Sequence, residues 1–240
     1  MINKKKITII ILIIIISMTL IGVYYLNQYY PTEIDIAKYN NTDVQLVKTS
    51  NGLLLDGPGN SNVLIFYPGA KIEYTAYVPL LYKLSEEGID CMLIQMPYNL
   101  ALLDKDAADI ILKNNTYDYK NWYLAGHSLG GSMAAEYTKG HETNITGLIL
   151  LASYSTSKIS TPSLSIYGSE DKVLNMDNYQ KNKKNLEKIN EYQIRGGNHA
   201  QYAYYGKQEK DGEASITTEE QIGITSKEII KFVNETSQSF

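Results

Sequence analysis

Cysteine is nearly missing from this chain. Cys91 is the only one in 240 residues, which excludes an intramolecular disulfide. With only three histidines beside it, the chain has too few soft ligands for a structural zinc site, and no metal is expected. Cys91 lies in Ile89-Asp90-Cys91-Met92-Leu93-Ile94, a run in which a free thiol is expected to be buried packing. An excess of positive charge is missing too: 22 basic and 26 acidic side chains give a formal net charge of −4. Setting aside Lys4, Lys5 and Lys6, which precede an apolar segment, 19 basic side chains face 26 acidic ones, a net −7. That balance argues against nucleic acid as a partner and supplies no electrostatic pull toward anionic lipid. Internal repeats are absent, and nothing marks a second domain. Asn-x-Thr triplets occur at Asn40, Asn114, Asn144 and Asn234, which in so Asn- and Thr-rich a chain is compositional. The length suits one domain with a sizeable core plus an appendage.

A long apolar run occurs once. From Ile7 to Leu26 the only polar side chains before the tyrosines are Thr8, Ser17 and Thr19. Twenty helical residues rise about 30 Å, the hydrocarbon thickness of a bilayer. Tyr24, Tyr25, Tyr29 and Tyr30 fall where an interfacial aromatic belt would sit. Three lysines precede the span and none follows it for ten residues, which puts the N-terminus in the cytoplasm and the remainder outside the cell membrane. A cleaved signal peptide, which would leave the domain secreted, is the competing reading. Its apolar core is usually about 7–15 residues and ends in small residues, whereas this run is longer and ends Val23-Tyr24-Tyr25-Leu26. A lipoprotein is excluded because no cysteine is near. The expected organisation is a cytoplasmic start at 1–6, a transmembrane signal-anchor at 7–26, a polar juxtamembrane linker at 27–43 leading away from the span, and a domain at 44–240.

Beyond the linker, short apolar runs alternate with segments of helical period. Val44–Val47 and Leu53–Leu55, separated by Ser50-Asn51-Gly52, predict a hairpin. Val63–Tyr67 is apolar on both faces, as a central parallel strand would be. A helix over Tyr74–Leu84, a strand over 90–95 and a helix over Leu100–Leu112 follow. Next come a strand at Trp122–Ala125, a helix from Ser128 to Lys139 and strands at Gly147–Ala152 and Leu164–Tyr167. A polar helix over Met176–Ile189, a strand at Tyr192–Ile194 and a helix over Thr218–Asn234 complete the pattern, the last announced by the capping box Thr217-x-x-Glu220. Alternation of this kind predicts an α/β fold built on a doubly wound, mostly parallel sheet. Only Tyr154 to Pro162 separate two of the strands. A lid or cap domain therefore has no room there, and an open site preferring short acyl chains is expected.

Gly126-His127-Ser128-Leu129-Gly130-Gly131 follows an apolar run and opens a helix, the pattern of a nucleophile elbow. A chain this long carries roughly 0.08 Gly-x-Ser-x-Gly matches by chance, so the surrounding residues have to decide. A serine hydroxyl needs an adjacent base, itself oriented by an acid, and in this architecture the order is serine, acid, histidine. Asp171 follows the strand Leu164–Tyr167 and is the expected acid, with Glu170 as the alternative. His199 lies in Gly196-Gly197-Asn198-His199 after the next strand and is the expected base. Oxyanion donors are expected at the Leu129 N–H and, after Val63–Tyr67, at the Ala70 N–H, with Lys71 as the alternative. Pro68 has no N–H to give. His127 is expected to be structural and His141 exposed. Met96-Pro97-Tyr98-Asn99-Leu100 would flank the site or merely connect two elements. Tyr202, Tyr204 and Tyr205 would line the site or simply pack.

Taken together these segments resemble the α/β-hydrolase superfamily over nearly all of residues 44–235. Phe66-Tyr67-Pro68-Gly69-Ala70-Lys71, Met96–Ala101 and Gly197-Asn198-His199-Ala200-Gln201 are similar to blocks of a compact bacterial serine hydrolase group, which also carries a Gly-Asp-Gly loop after the histidine. Here that loop reads Lys210-Asp211-Gly212. Dienelactone hydrolases are of similar size but use cysteine where this chain has Ser128. The resemblance implies carboxylic ester hydrolysis through an acyl-enzyme, on a small-molecule ester or acyl substrate and without a cofactor. An acyltransferase or thioesterase would use the same triad. A non-catalytic binding module would be expected to lack one of its members.

Overall fold

The computed structural model describes residues 4–113 and 117–237. Asn114 and part of the 1–6 start lie outside the described residues. Helix α1 (Lys4–Leu26) is the apolar segment, and its large apolar side chains from Ile9 to Tyr25 are exposed. The domain contains β1 (Gln45–Thr49), β2 (Gly52–Asp56), β3 (Asn62–Tyr67), α2 (Val78–Glu86), β4 (Ile89–Ile94), α3 (Asp109–Leu112), β5 (Asn121–His127) and α4 (Leu129–Gly140). It continues through β6 (Gly147–Leu151), β7 (Ser163–Gly168), α5 (Met176–Asn182), β8 (Ile189–Ile194) and α6 (Thr218–Ser237).

One eight-stranded sheet runs β1-β2-β4-β3-β5-β6-β7-β8. The β1–β2 and β2–β4 pairs are antiparallel and every later pair is parallel. The doubly wound expectation therefore holds, with the predicted hairpin as its antiparallel edge. Strand alternation divides the core into two layers. Leu64, Phe66, Cys91, Leu93, Tyr123 and Ala125 face α2 and α6, where Leu80, Leu84, Ile229 and Phe232 meet them. Val63, Ile65, Met92, Leu124, Leu148 and Leu150 face the other side, against Ala134 and Ala135 of α4. Cys91 is fully buried in the first layer, and burial pushes its thiol pKa up.

Two predicted helices come out shorter. In place of a helix over Leu100–Leu112 there are 3-10 turns at Pro97–Asn99 and Ala101–Leu103 and the single turn of α3. The Tyr67 hydroxyl accepts from Ala108 N–H at 2.8 Å and donates to Lys105 O at 2.9 Å. Both groups are thereby drawn down to the sheet and out of a helical ladder. The positive φ angles of Tyr98 and Asn99 break the segment further upstream. The helix over Met176–Ile189 stops at Asn182, because residues from Ile189 onward pair with β7. Thr217 and Glu220 form the anticipated capping box, with Glu220 N–H on Thr217 Oγ1 at 3.1 Å and Thr217 N–H on Glu220 Oε2 at 2.7 Å.

The segment read as a juxtamembrane linker packs against the domain over part of its length. Tyr30 forms a parallel bridge with Ile72, and Ile34, Ile36 and Tyr39 pack onto the first core layer. Apolar side chains at alternating and i+3 positions outweigh the polar character of the segment as a whole.

Candidate active site

Ser128 sits between the end of β5 and the start of α4 at φ 53°, ψ −123°. A non-glycine residue in that region costs on the order of 1–3 kcal/mol and persists only where its surroundings enforce it. Here the enforcement is visible. A Cβ on Gly126 would collide with the Gly130 backbone, and one on Gly130 with the carbonyls of Tyr67 and Pro68. β5 and α4 therefore meet backbone to backbone, and the turn between them has no slack. Ser128 N–H donates to Leu151 O at 2.9 Å. Ser153 Oγ donates to Ser128 O at 2.8 Å and lies 3.1 Å from Ser132 Oγ. Both flanks of the serine are pinned, and its own side is half-buried. No sequence pattern pointed to Ser132 or Ser153.

Past the ends of β7 and β8, two loops bring Asp171 and His199 together. His199 Nδ1 donates to Asp171 Oδ2 at 2.9 Å, with both side chains almost fully buried. The second oxygen, Oδ1, accepts from the N–H groups of Val173 and Leu174, each at 2.8 Å. The carboxylate is thus held on both sides. Glu170 points elsewhere: its Oε1 accepts from Ser169 Oγ at 2.9 Å. With Nδ1 committed to Asp171, the imidazole carries its free nitrogen at Nε2, and that atom is buried without a partner among the described residues.

The His199 loop has supports that the sequence did not disclose. Gln221 on α6 accepts from Asn198 N–H at 2.9 Å and donates to Asn198 O at 2.8 Å. Asp211 Oδ2 accepts from Ala200 N–H at 2.9 Å, and its Oδ1 from Lys172 N–H at 3.3 Å, so one carboxylate ties the Asp171 loop to the His199 loop. Its neighbour Lys210 adopts φ 69°. That is the left-handed region glycine favours, which accounts for a glycine there in the motif the loop resembles. A cleft of about 680 Å³ behind this loop is lined by Asn198, Gln201, Asp211 and Gly212 and not by Ser128.

After β3, the backbone donors divide cleanly. Gly69 N–H donates to the Tyr77 hydroxyl at 3.0 Å, and Lys71 N–H to Asn99 O at 2.7 Å. Ala70 N–H between them has no acceptor among the described residues, whereas the alternative donor, Lys71, is committed. Leu129 opens α4, where the first N–H groups have no intrahelical partner.

His127 is wholly buried. Its Nδ1 lies 2.7 Å from the Tyr77 hydroxyl. That oxygen also accepts from Gly69 N–H at 3.0 Å. Burial, and then the neighbouring His199, hold its pKa well below the usual imidazole value, against a weaker opposing pull from the His199 backbone. The His127 ring lies 4.6 Å from that of His199 and 5.3 Å from that of Tyr202. Tyr77 thus links the loop after β3 to the elbow, a role no local pattern announces. Tyr202 is buried and donates to Ile166 O, and Tyr205 is buried too. Both pack rather than line the site. His141 stacks on Tyr137 with centroids 4.0 Å apart. Among the described residues, no three His, Cys, Asp or Glu side chains gather as a metal-ligand set.

An elbow serine, a buried histidine–carboxylate pair and free backbone donors, all at the C-terminal edge of a doubly wound sheet, define a hydrolase-type α/β protein. A sequence model of the alpha/beta hydrolase family matches residues 63–223, and the chain belongs to that family. No curated protein matches it in sequence. Its fold is similar to that of Est1E from Butyrivibrio proteoclasticus, at 12% identity and TM-score 0.57, over 82% of this chain and 100% of that one. A dienelactone hydrolase from Anabaena variabilis matches at 14% identity and TM-score 0.62, over 81% and 99%. A thioesterase domain from the curacin biosynthetic pathway matches at 10% and 0.56, over 80% and 100%. At these identities the likeness is one of fold.

Proposed function

We propose that this protein is a membrane-anchored, extracytoplasmic serine hydrolase that cleaves carboxylic esters. Ser128 is the nucleophile, His199 the base and Asp171 the acid that orients it, while the Ala70 and Leu129 N–H groups receive the oxyanion. The observation that carries this reading is the buried His199–Asp171 pair, whose free Nε2 has no hydrogen-bond partner among the described residues. His199 Nε2 takes the Ser128 proton as Oγ attacks the ester carbonyl carbon, and the carbonyl electrons move onto oxygen. The tetrahedral intermediate collapses, and the alcohol leaves with the proton from His199. A water molecule, deprotonated by His199, then attacks the acyl-enzyme, releasing the acid and restoring Ser128. Asp171 keeps the imidazole in the Nδ1–H tautomer and offsets its charge. Each oxyanion donor is worth about 3–4 kcal/mol in such sites.

A ferulic acid complex of Est1E makes esters of aromatic carboxylic acids a sensible first panel, with thioesters beside them because a thioesterase shares the fold. The direct test is a fluorophosphonate probe on the full chain. Labelling is expected in the wild type and absent in Ser128→Ala, whose turnover falls on the order of 10⁶-fold. Failure of the folded wild type to label overturns the reading. Asp171→Asn is expected to be far more damaging than Glu170→Gln, and the reverse would reassign the acid.

A further inference from the structure

The end of the apolar helix is fastened to the loop that supplies an oxyanion donor. Lys71 Nζ donates to Tyr25 O at 2.8 Å and to Leu26 O at 2.9 Å, and lies 4.7 Å above the Tyr25 ring. It therefore caps the last turn of α1, where carbonyls are unpaired and the helix dipole favours a cation. Burial lowers the Lys71 pKa. The next residues repeat the attachment: Tyr30 N–H donates to Lys71 O at 2.7 Å, and Glu73 N–H to Tyr30 O at 2.9 Å. Lys71 itself follows Ala70 and is held at φ 61°.

The same lysine reaches the opposite way. Its N–H donates to Asn99 O, within the turns that present Tyr98, Leu102 and Leu103. These three are 55%, 62% and 54% exposed, at the edge of the sheet that carries Ser128. One residue thus joins the end of the span, the oxyanion loop and a cluster of uncovered apolar side chains. Asp104 and Asp106 follow, with Lys105 paired to Asp106 at 2.9 Å, so the cluster has an apolar attraction for a surface rather than an electrostatic one.

We propose that this edge of the domain lies against the leaflet in which α1 ends, with Tyr98, Leu102 and Leu103 in the interface, so that the site takes amphiphilic esters from the bilayer itself. The proposal rests on reading α1 as a membrane span and Ser128 as the nucleophile. Continuity with the span selects the occupant. A helix whose final carbonyls are bonded to Lys71 holds that loop at the depth of its own aromatic belt, Tyr24 and Tyr25. The connection from β6 to β7 is too short for a lid, and the bilayer surface covers the site in its place. Freely soluble short esters then become secondary substrates.

The test uses the full chain in phosphatidylcholine vesicles. Leu102→Cys carries an environment-sensitive fluorophore, Cys91 being wholly buried, and Asn60→Cys at the opposite edge serves as control. Doxyl-labelled phosphatidylcholine is expected to quench position 102 several-fold more than position 60, and equal quenching overturns the proposal. In a second arm, Leu102→Ser with Leu103→Ser is expected to lower turnover of a vesicle-embedded fluorogenic long-chain ester about tenfold, roughly the loss of one to two leucine contacts with lipid. Turnover of a soluble short-chain ester should stay within about twofold. Equal effects on both substrates, or none on either, overturn it. A wild type that hydrolyses neither ester removes the functional reading, and the quenching contrast still decides the surface. A chain that does not float with the vesicles removes both.

Discussion

Ser128 and Lys210 hold similar backbone strain for different reasons. Ser128, at φ 53°, is bent by the close approach of β5 and α4, which presents its hydroxyl at the sheet edge. Lys210, at φ 69°, is bent beside Asp211 and touches nothing in the reaction. Glycine relieves such strain at little cost, so both Ser128→Gly and Lys210→Gly are expected to gain about 1 kcal/mol in urea unfolding. Only the first should abolish turnover. His127 predicts a pH dependence. Unfolded histidine protonates near pH 6.5, whereas burial holds folded His127 well below that. As pH falls below about 6.5 the unfolded state binds the extra proton, and stability drops by up to about 1.4 kcal/mol per pH unit from this one group. Urea midpoints from pH 7 to 5 should therefore fall less steeply in His127→Asn than in the wild type.

At the scale of elements, the loops that carry Asp171 and His199 are stabilised from behind. α6 begins at a capping box and buries Gln221 fully, so that its amide pairs with both backbone groups of Asn198. Gln221→Ala leaves a buried N–H and C=O without partners, at about 1–3 kcal/mol each. A clear loss in thermal midpoint is expected, with a fall in kcat because His199 follows directly. Such elements are where tertiary contact overruled local pattern. Thr217 and Glu220 announce α6 in sequence because a cap is a contact between near neighbours. The Leu100–Leu112 helix fails because Tyr67, about forty residues away, takes up Ala108 N–H and Lys105 O. Periodicity within the segment carries no trace of that competitor.

For the whole molecule, α1 and the domain meet through Lys71 and the stretch from Tyr30 to Tyr39. A chain truncated to 27–240 is expected to fold and to keep soluble-ester turnover, since the large apolar side chains of α1 from Ile9 to Tyr25 are exposed. Truncation to 44–240 also removes Tyr30, Ile34, Ile36 and Tyr39 from the core surface. Four partly buried apolar side chains suggest a loss of about 3 kcal/mol, read as a lower urea midpoint.

The sequence by itself determined what depends on near neighbours. That covers the alternating strands and helices, the apolar N-terminal helix, the glycines around Ser128, and the chain order of Ser128, Asp171 and His199. Each follows from sterics, period or spacing within a few residues. Only the tertiary structure decided between close alternatives. Asp171 rather than Glu170 meets His199, because adjacent side chains at a strand end point in different directions. Ala70 rather than Lys71 keeps an N–H without an acceptor among the described residues, because Asn99, distant in sequence, claims the other. Tyr77, Asp211 and Gln221 became visible as supports only when folding brought loops from separate strands together. The attachment of α1 to the loop after β3 belongs to the same kind, since it joins residues some forty-five positions apart that share no local signal.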